Sequence, residues 1–155
     1  MMTNKELVLE TMSRAGKLIA ASVQEKSSSL TGTELNAEQD YIPVFVEACK
    51  KMNMLDRKAG QADGFVCRSS AGRVVRLIQN YDSSIYTQEP EELPAQWGFV
   101  WSDNPAHALP FIALSTSPYM KGNCCSENDA VFRSLIDNNV WAPSAYPQGW
   151  EQVEA

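Results

Sequence analysis

Two segments of the sequence repeat one pattern of glycine, cysteine, apolar and tryptophan residues at closely matching spacings. In each segment a glycine precedes a cysteine by three residues, a turn and an apolar run follow, and a proline stands seven residues before a tryptophan. The matching positions are Gly64, Cys67, Pro90 and Trp97 in the first segment and Gly122, Cys125, Pro143 and Trp150 in the second. Such a repeat indicates that one small structural unit occurs twice.

The residue types in each segment predict a small β-unit built around its tryptophan. The glycine and the turn predict a hairpin of two short strands, and the loop that contains the proline would cross over this hairpin. A unit of this size has few apolar side chains, whereas one large aromatic ring buries about 150–250 Å². We therefore expect Trp97 and Trp150 to form the centres of two small cores.

The N-terminal region carries a helical pattern over residues 3–26. Leu9, Met12, Ile19 and Val23 fall on one stripe, and Asn4 could cap the start of the helix. The stripe is narrow, so it predicts either ordinary packing or a contact between copies of the chain that is too short to identify as a coiled coil.

A second helix is predicted over residues 37–54. Asn36 followed by Gln39 resembles a capping box, and Pro43 would stand in the first turns of the helix. From residue 65 onward, short β-type runs separated by turn residues replace the helical periodicity. The predicted class is α+β, with two N-terminal helices followed by two small antiparallel β-modules. The predicted organisation is a helical region over 1–58, a first β-module over 59–104 and a second over 105–155.

Charge and hydrophobicity exclude several classes of partner. The net charge of −6 disfavours nucleic acid, because phosphate binding needs a basic face, and it also disfavours an anionic membrane surface. The sequence has no apolar run that approaches the ~20 residues of a transmembrane helix. Charged residues interrupt the apolar stretch at the N-terminus, so we expect no signal peptide.

The sequence contains few residues that could form a catalytic or metal site. Its four cysteines show no C-x-x-C spacing, and His107 is the single histidine, so we expect no metal and no cofactor. The catalytic alternatives are a pair of His107 with Cys67 or Cys124, and a glycosidase site at the acidic run 89–92. A solvated acidic surface explains that run more simply, and we expect no enzyme activity and no catalytic residues.

The second segment contains four motifs in order: YMKG at 119–122, AVFRS at 130–134, DNNVWAP at 137–143 and GW at 149–150. With these motifs it resembles the small chitin-binding type 3 module, the carbohydrate-binding modules of families five and twelve. It is most similar to the degenerate versions found in phage and prophage tail proteins. The first segment follows the same outline, with Gln88 at the position of the loop tryptophan. The resemblance implies a small antiparallel β-fold that binds polysaccharide through exposed aromatic rings.

Trp141 and Tyr146, on either side of Pro143, are the candidate sugar-stacking rings, because the apolar C–H face of a pyranose can lie on an aromatic ring. The other candidate carbohydrate-binding residues are Asp137 and Asn139, which could hydrogen-bond sugar hydroxyls, and Tyr86 in the analogous loop of the first segment. The alternatives are that Trp141 packs under its own loop and that the polar residues only form turns.

The expected function follows from the resemblance and from one place where this chain differs from the family. Chitin-binding members carry adjacent tryptophans where this chain has Ile136 and Asp137. We therefore expect a noncatalytic structural protein of the phage or prophage tail type, acting in assembly or attachment and located in the virion, or in the cytoplasm before release. Its expected partners are a polysaccharide, other phage structural proteins, or further copies of itself through the N-terminal helix. The alternative is a true polysaccharide-binding module, for chitin or peptidoglycan, that is accessory to a glycan-degrading enzyme.

Overall fold

A computed structural model describes residues 3–155 and has an α+β fold, which confirms the predicted class. The three α-helices are α1 (Asn4–Lys26), α2 (Gly32–Ala37) and α3 (Phe45–Lys51). The first sheet contains β1 (Val66–Arg68), β2 (Val74–Leu77) and β3 (Trp97–Phe99). The second contains β4 (Leu109–Pro110), β5 (Cys124–Glu127), β6 (Ala130–Ser134) and β7 (Trp150–Val153). Short 3₁₀ turns connect these elements.

Helix α1 is capped at its start and attached to the body near its end. Thr3, rather than Asn4, is the N-cap: its hydroxyl accepts a hydrogen bond from the backbone N–H of Glu6, whose carboxylate accepts one from the backbone of Thr3. Near the other end, Gln24 exchanges two hydrogen bonds with the backbone of Val66 in β1, at 2.6 and 3.0 Å. The C-terminal end of α1 is therefore fixed to the first sheet.

The prediction of one helix over 37–54 is wrong. A capping box formed by Thr31 starts α2 earlier, and Asn36 lies inside that helix, where its amide donates to the carbonyls of Gly32 and Val100. Pro43 then precedes α3 instead of entering it, and its carbonyl accepts a hydrogen bond from the backbone of Arg68 at 2.8 Å. The predicted span instead begins at the last residue of α2 and contains a 3₁₀ turn (Gln39–Tyr41), the short helix α3 and the start of a second 3₁₀ turn (Met54–Asp56).

The two sheets reproduce the sequence repeat strand by strand. Cys67 pairs with Val75 in the first sheet, and Cys125 pairs with Phe132 in the second. Each closing strand starts with a tryptophan, which in the second sheet pairs with Ser134. The expectation that both modules are purely antiparallel needs one correction, because β4 pairs with β5 in parallel. Strand β4 lies outside the repeated segments, and β5, β6 and β7 are antiparallel as predicted.

Trp97 and Trp150 are buried, at 0% and 5% exposure, which confirms their predicted places in the core. A series of aromatic rings also joins the two sheets. Trp101 stacks on Phe99 at 5.7 Å and on Tyr119 at 4.3 Å between ring centroids, and Tyr119 contacts Trp150 at 5.5 Å. The cores of the two sheets are therefore continuous through Trp101 and Tyr119.

The four cysteines are free thiols, and three of them are buried: Cys67, Cys124 and Cys125. Burial raises the pKa of the Cys125 thiol to about 12. These side chains pack as small apolar groups.

Alkaline pH is expected to destabilise the first core through Tyr81. Burial raises the pKa of this phenol to about 12, and its oxygen accepts a hydrogen bond from the Trp97 indole at 3.0 Å. Since the pKa of an unfolded tyrosine is about 10, the stabilisation is complete below about pH 10 and is lost as the pH rises towards 12. The expected loss is roughly 1 kcal/mol at pH 11, measured by urea unfolding at pH 7 and pH 11.

Tyr81→Phe is the control for this effect. It removes the hydrogen bond to Trp97, so stability at pH 7 falls, but its further decrease at pH 11 is expected to be smaller than that of the wild type. An equal alkaline decrease in both proteins would exclude Tyr81 as the titrating group.

Candidate functional site

Trp141 and Tyr146 lie together on the surface of the loop that joins β6 to β7, and we call them the aromatic pair. They are 51% and 38% exposed, their ring centroids are 5.5 Å apart, and the ring planes are inclined by 55°. The two rings therefore form an open angle rather than one flat platform. Trp141 does not pack beneath its own loop, which was the structural alternative for this residue.

Asn139 supports this loop from inside. It is fully buried, and its amide donates to the Ser134 hydroxyl at 3.0 Å and to the Gly149 carbonyl at 3.1 Å. Its side-chain oxygen accepts from the backbone N–H of Trp141 at 3.3 Å. The expectation that Asn139 contacts a sugar is therefore corrected, because its hydrogen-bonding groups face the protein and are already used.

Further hydrogen bonds fix the backbone under the aromatic pair. The Ala142 carbonyl accepts from the backbone of Tyr146 at 2.9 Å, and the Trp141 carbonyl accepts from the indole of buried Trp150 at 2.8 Å. The Glu127 carboxylate accepts from the backbone of Ser144 at 2.8 Å. The loop is thus attached through Glu127 to β5 and through Trp150 to β7. This attachment reduces the conformational entropy that would be lost when a ligand binds.

A glycine allows the Tyr146 ring to lie close to the backbone. A Cβ atom added at Gly149 would stand 2.7 Å from Cδ2 of Tyr146, which is too close for two carbon atoms. Gly149 therefore helps to orient the aromatic pair, and it is also the glycine of the GW motif at 149–150.

Asp137 is exposed, and one of its carboxylate oxygens accepts from the backbone of Lys121 at 3.0 Å. Next to it, Asn138 has a positive φ of 55°, and its backbone N–H points to the Met120 sulfur at 3.5 Å. Met120 is itself 41% exposed. The sequence does not predict this contact, because the pairing of Tyr119 with Asn139 that brings the two segments together is long-range.

Tyr86 lies in the corresponding loop of the first sheet and is 53% exposed. The turn is the same in both loops: the Asp82 carbonyl accepts from the backbone of Tyr86 as the Ala142 carbonyl accepts from Tyr146. The counterpart of Trp141 is consequently Tyr81 rather than Gln88, and Tyr81 is buried against Trp97. Within residues 3–155, Tyr86 makes no ring contact with the aromatic pair.

The acidic run contributes hydrogen bonds that connect parts of the structure. Glu91 forms an ion pair with Arg73 at 3.0 Å, and Glu89 accepts hydrogen bonds from the backbone and the hydroxyl of Ser70.

Over the described chain, no three His, Cys, Asp or Glu side chains are grouped so that they could hold a metal ion. None of the helices in residues 3–155 combines the length and the apolar character needed to span a membrane.

Comparisons with protein-family models, with curated proteins and with solved structures found no match to this chain. The two partly exposed rings offer apolar faces for stacking, and the exposed Asp137 in the same loop carries a carboxylate that can accept from hydroxyl groups.

Proposed function

We propose that the protein is a noncatalytic structural protein of the phage or prophage tail type, built on carbohydrate-binding-like modules and acting in attachment or assembly. The observation that carries the proposal is the aromatic pair Trp141 and Tyr146, held open to solvent on a hydrogen-bonded loop. Its ligand would be a polysaccharide or a partner structural protein, and its location the virion, or the cytoplasm before release.

Leaving the aromatic pair exposed gives up the stabilisation that burial of its rings would provide. A tryptophan normally stabilises a fold most when its ring is buried, as the rings of Trp97 and Trp150 are here. Trp141 instead lies half exposed, although its backbone is fixed by Asn139 and Trp150. Exposed rigid aromatic rings are typical of binding surfaces, because few rotamers have to be ordered when a ligand covers them. Asp137 adds an exposed hydrogen-bond acceptor in the same loop.

The alternative function is a true polysaccharide-binding module, accessory to a glycan-degrading enzyme. It would use the same aromatic pair, and it is favoured by the exposure of both rings, on whose free faces a pyranose could stack. The two functions differ in the ligand that a single copy of the protein would bind. An accessory module binds chitin or peptidoglycan as a single copy, whereas an attachment protein needs several copies or a protein partner.

Trp141→Ala is expected to reduce binding to insoluble peptidoglycan or chitin at least about tenfold in Kd, which corresponds to about 1.4 kcal/mol. The stacking face is removed, while the carbonyl of residue 141 can still accept from Trp150, so the fold is retained. Sedimentation of the full chain with each polymer, across a range of protein concentrations, measures the bound fraction.

Tyr41→Ala is the matched control, since it also removes an exposed aromatic ring, 38% exposed, but from the helical region. We expect this variant to bind like the wild type. If neither polymer retains the wild-type protein, the direct sugar-binding version of the proposal is wrong. Equal losses for Trp141→Ala and Tyr41→Ala would contradict a site at the aromatic pair.

A further inference from the structure

A cleft of about 600 Å³ lies between α1 and the segment that runs from Asp40 into α3. Its lining is largely apolar and includes Gly16, Ala20, Ile42 and Phe65. The two small residues stand about one turn apart on α1, and a Cβ atom added at Gly16 would have no heavy atom within 4 Å. Small side chains on α1 therefore leave a space of the size that is typical of small-molecule sites.

Arg57 also lines this cleft, and hydrogen bonds of the backbone fix its position. The side-chain amide of Asn80 donates to the Arg57 carbonyl at 2.6 Å, and the backbone N–H of Phe65 donates to the Lys58 carbonyl at 2.8 Å. The guanidinium lies over the Phe65 ring, with its central carbon 4.1 Å from the ring centroid. The positive charge is thus held against an aromatic ring in the lining of the cleft.

Within residues 3–155, the guanidinium of Arg57 forms no ion pair with a carboxylate. Its Nη2 donates to the Ala48 carbonyl at 2.8 Å, and its Nε is buried without an acceptor. The Phe65 ring and the carbonyl in the last turn of α3 favour a cation, but neither carries a countercharge. Burial also lowers the pKa of Arg57, because the partly desolvated guanidinium loses hydration. A bound anion would supply the missing countercharge.

The charges in the lining favour an anion in this cleft. They comprise three cations, Lys17, Lys51 and Arg57, and two carboxylates, Asp40 and Glu47. One of these carboxylates, that of Glu47, is already paired with the Lys50 ammonium at 3.2 Å. The cleft therefore has an excess of positive charge in a chain whose net charge is −6.

A neighbouring cleft of about 660 Å³ also includes Arg57, but its charges disfavour an anion. It is lined by three carboxylates, those of Glu25, Asp56 and Asp63, and its other cation, Lys58, pairs with Asp63 at 2.8 Å. An anion that approaches Arg57 is therefore expected in the first cleft rather than in this one.

We propose that the cleft between α1 and α3 binds a small organic anion, a carboxylate with an apolar body. The carboxylate would accept a hydrogen bond from the Arg57 guanidinium, and the apolar body would lie along Gly16, Ala20 and Ile42. A hydrogen bond between two ionised groups is stronger than a neutral one, and partial desolvation strengthens it further. The apolar lining disfavours inorganic phosphate, because all of its oxygens need polar partners. This site is separate from the aromatic pair and does not depend on the function proposed above.

Isothermal titration calorimetry of the full chain with octanoate and with 1-octanol tests the proposal. The two probes have apolar chains of the same length, and they differ in charge. Octanoate is expected to bind with a Kd below about 1 mM, at least about tenfold more tightly than 1-octanol. Inorganic phosphate, which has the charge without the apolar body, should bind more weakly than octanoate.

Arg57→Met removes the charge and keeps an unbranched side chain that can lie on the Phe65 ring. The affinity for octanoate is expected to fall at least about tenfold, whereas the affinity for 1-octanol should change little. Gly16→Leu is a second test of the same cleft, because it fills the open space and replaces glycine with a better helix former. Both probes should then bind more weakly, while circular dichroism shows that the helix is retained.

Arg76→Met is the matched control. Burial lowers the pKa of Arg76 as well, and its Nη2 donates to the Ser27 carbonyl at 2.8 Å, but this arginine does not line the cleft. The variant is expected to bind octanoate like the wild type. Three results would overturn the proposal: no binding of octanoate, equal affinities for octanoate and 1-octanol, or octanoate binding that is unchanged in Arg57→Met. None of them affects the polysaccharide binding expected at Trp141.

Discussion

Replacing Trp97 with alanine is expected to lower the free energy of unfolding by about 3–5 kcal/mol. The ring is fully buried and contacts Phe45 and Tyr81 edge to face, at 5.7 and 6.2 Å between centroids. Its removal leaves a cavity between α3 and the first sheet, and it leaves the Tyr81 hydroxyl without the indole donor. Urea unfolding followed by far-UV circular dichroism measures the change.

Trp141→Ala provides the same chemical change at an exposed position. Because half of that ring already contacts solvent, we expect a loss below about 1 kcal/mol. The contrast between the two variants tests the division of the tryptophans into core and site. Similar losses for both would mean that the loop of the second sheet depends on Trp141 for its structure, and would weaken its assignment as a binding residue.

The repeat could be predicted from the sequence because its determinants are local. A glycine and a turn at fixed spacings predict the two-stranded hairpin of each unit, whereas the third antiparallel strand, which starts at the tryptophan and pairs Ser134 with Trp150, is found only in the structure. The burial of Trp97 and Trp150 follows in turn, since a unit this small needs the apolar area of a large aromatic ring in its core. The apolar stripe of α1 was also recognised in the sequence, although the pattern alone did not show that Leu9, Met12 and Ile19 are exposed.

The second helix and strand β4 could not be predicted because long-range contacts decide them. Asn36 is a good N-cap residue in isolation, but a carbonyl 64 positions away, at Val100, holds its amide inside α2. Strand β4 has only Leu109 and Pro110, and it exists because β5 pairs with it. Propensity carries little information for such short elements.

The candidate site was predicted only in part, because long-range contacts also decide the positions of some of its side chains. The aromatic pair was selected correctly as exposed, but Asn139 was not recognised as the residue that holds the loop. A run of Asp and Asn gives no sign of which side chain turns inward. The two loops also share one turn, yet Tyr81 is buried where Trp141 is exposed, and only packing against Trp97 distinguishes them.

The contact between the two sheets also depends on a buried ion pair. Arg73 and Glu91 are 10% and 15% exposed, and the Ser69 hydroxyl donates to the same Glu91 oxygen at 2.7 Å. The Arg73 guanidinium also donates to the Pro110 carbonyl of β4 at 2.7 Å. This arginine therefore connects the first sheet with the strand that enters the second.

Arg73→Ala is expected to lower the free energy of unfolding by about 3–5 kcal/mol, because Glu91 would keep a buried charge without its partner. Lys50→Ala, which breaks the exposed pair with Glu47, should cost less than about 0.5 kcal/mol under the same urea titration. The double variant with Arg73→Met and Glu91→Gln should lose less stability than the sum of the losses for Arg73→Met alone and Glu91→Gln alone, by about 0.5–3 kcal/mol. Strictly additive losses would show that the two side chains stabilise the fold independently. The effect of Arg73 would then come from its hydrogen bond to Pro110.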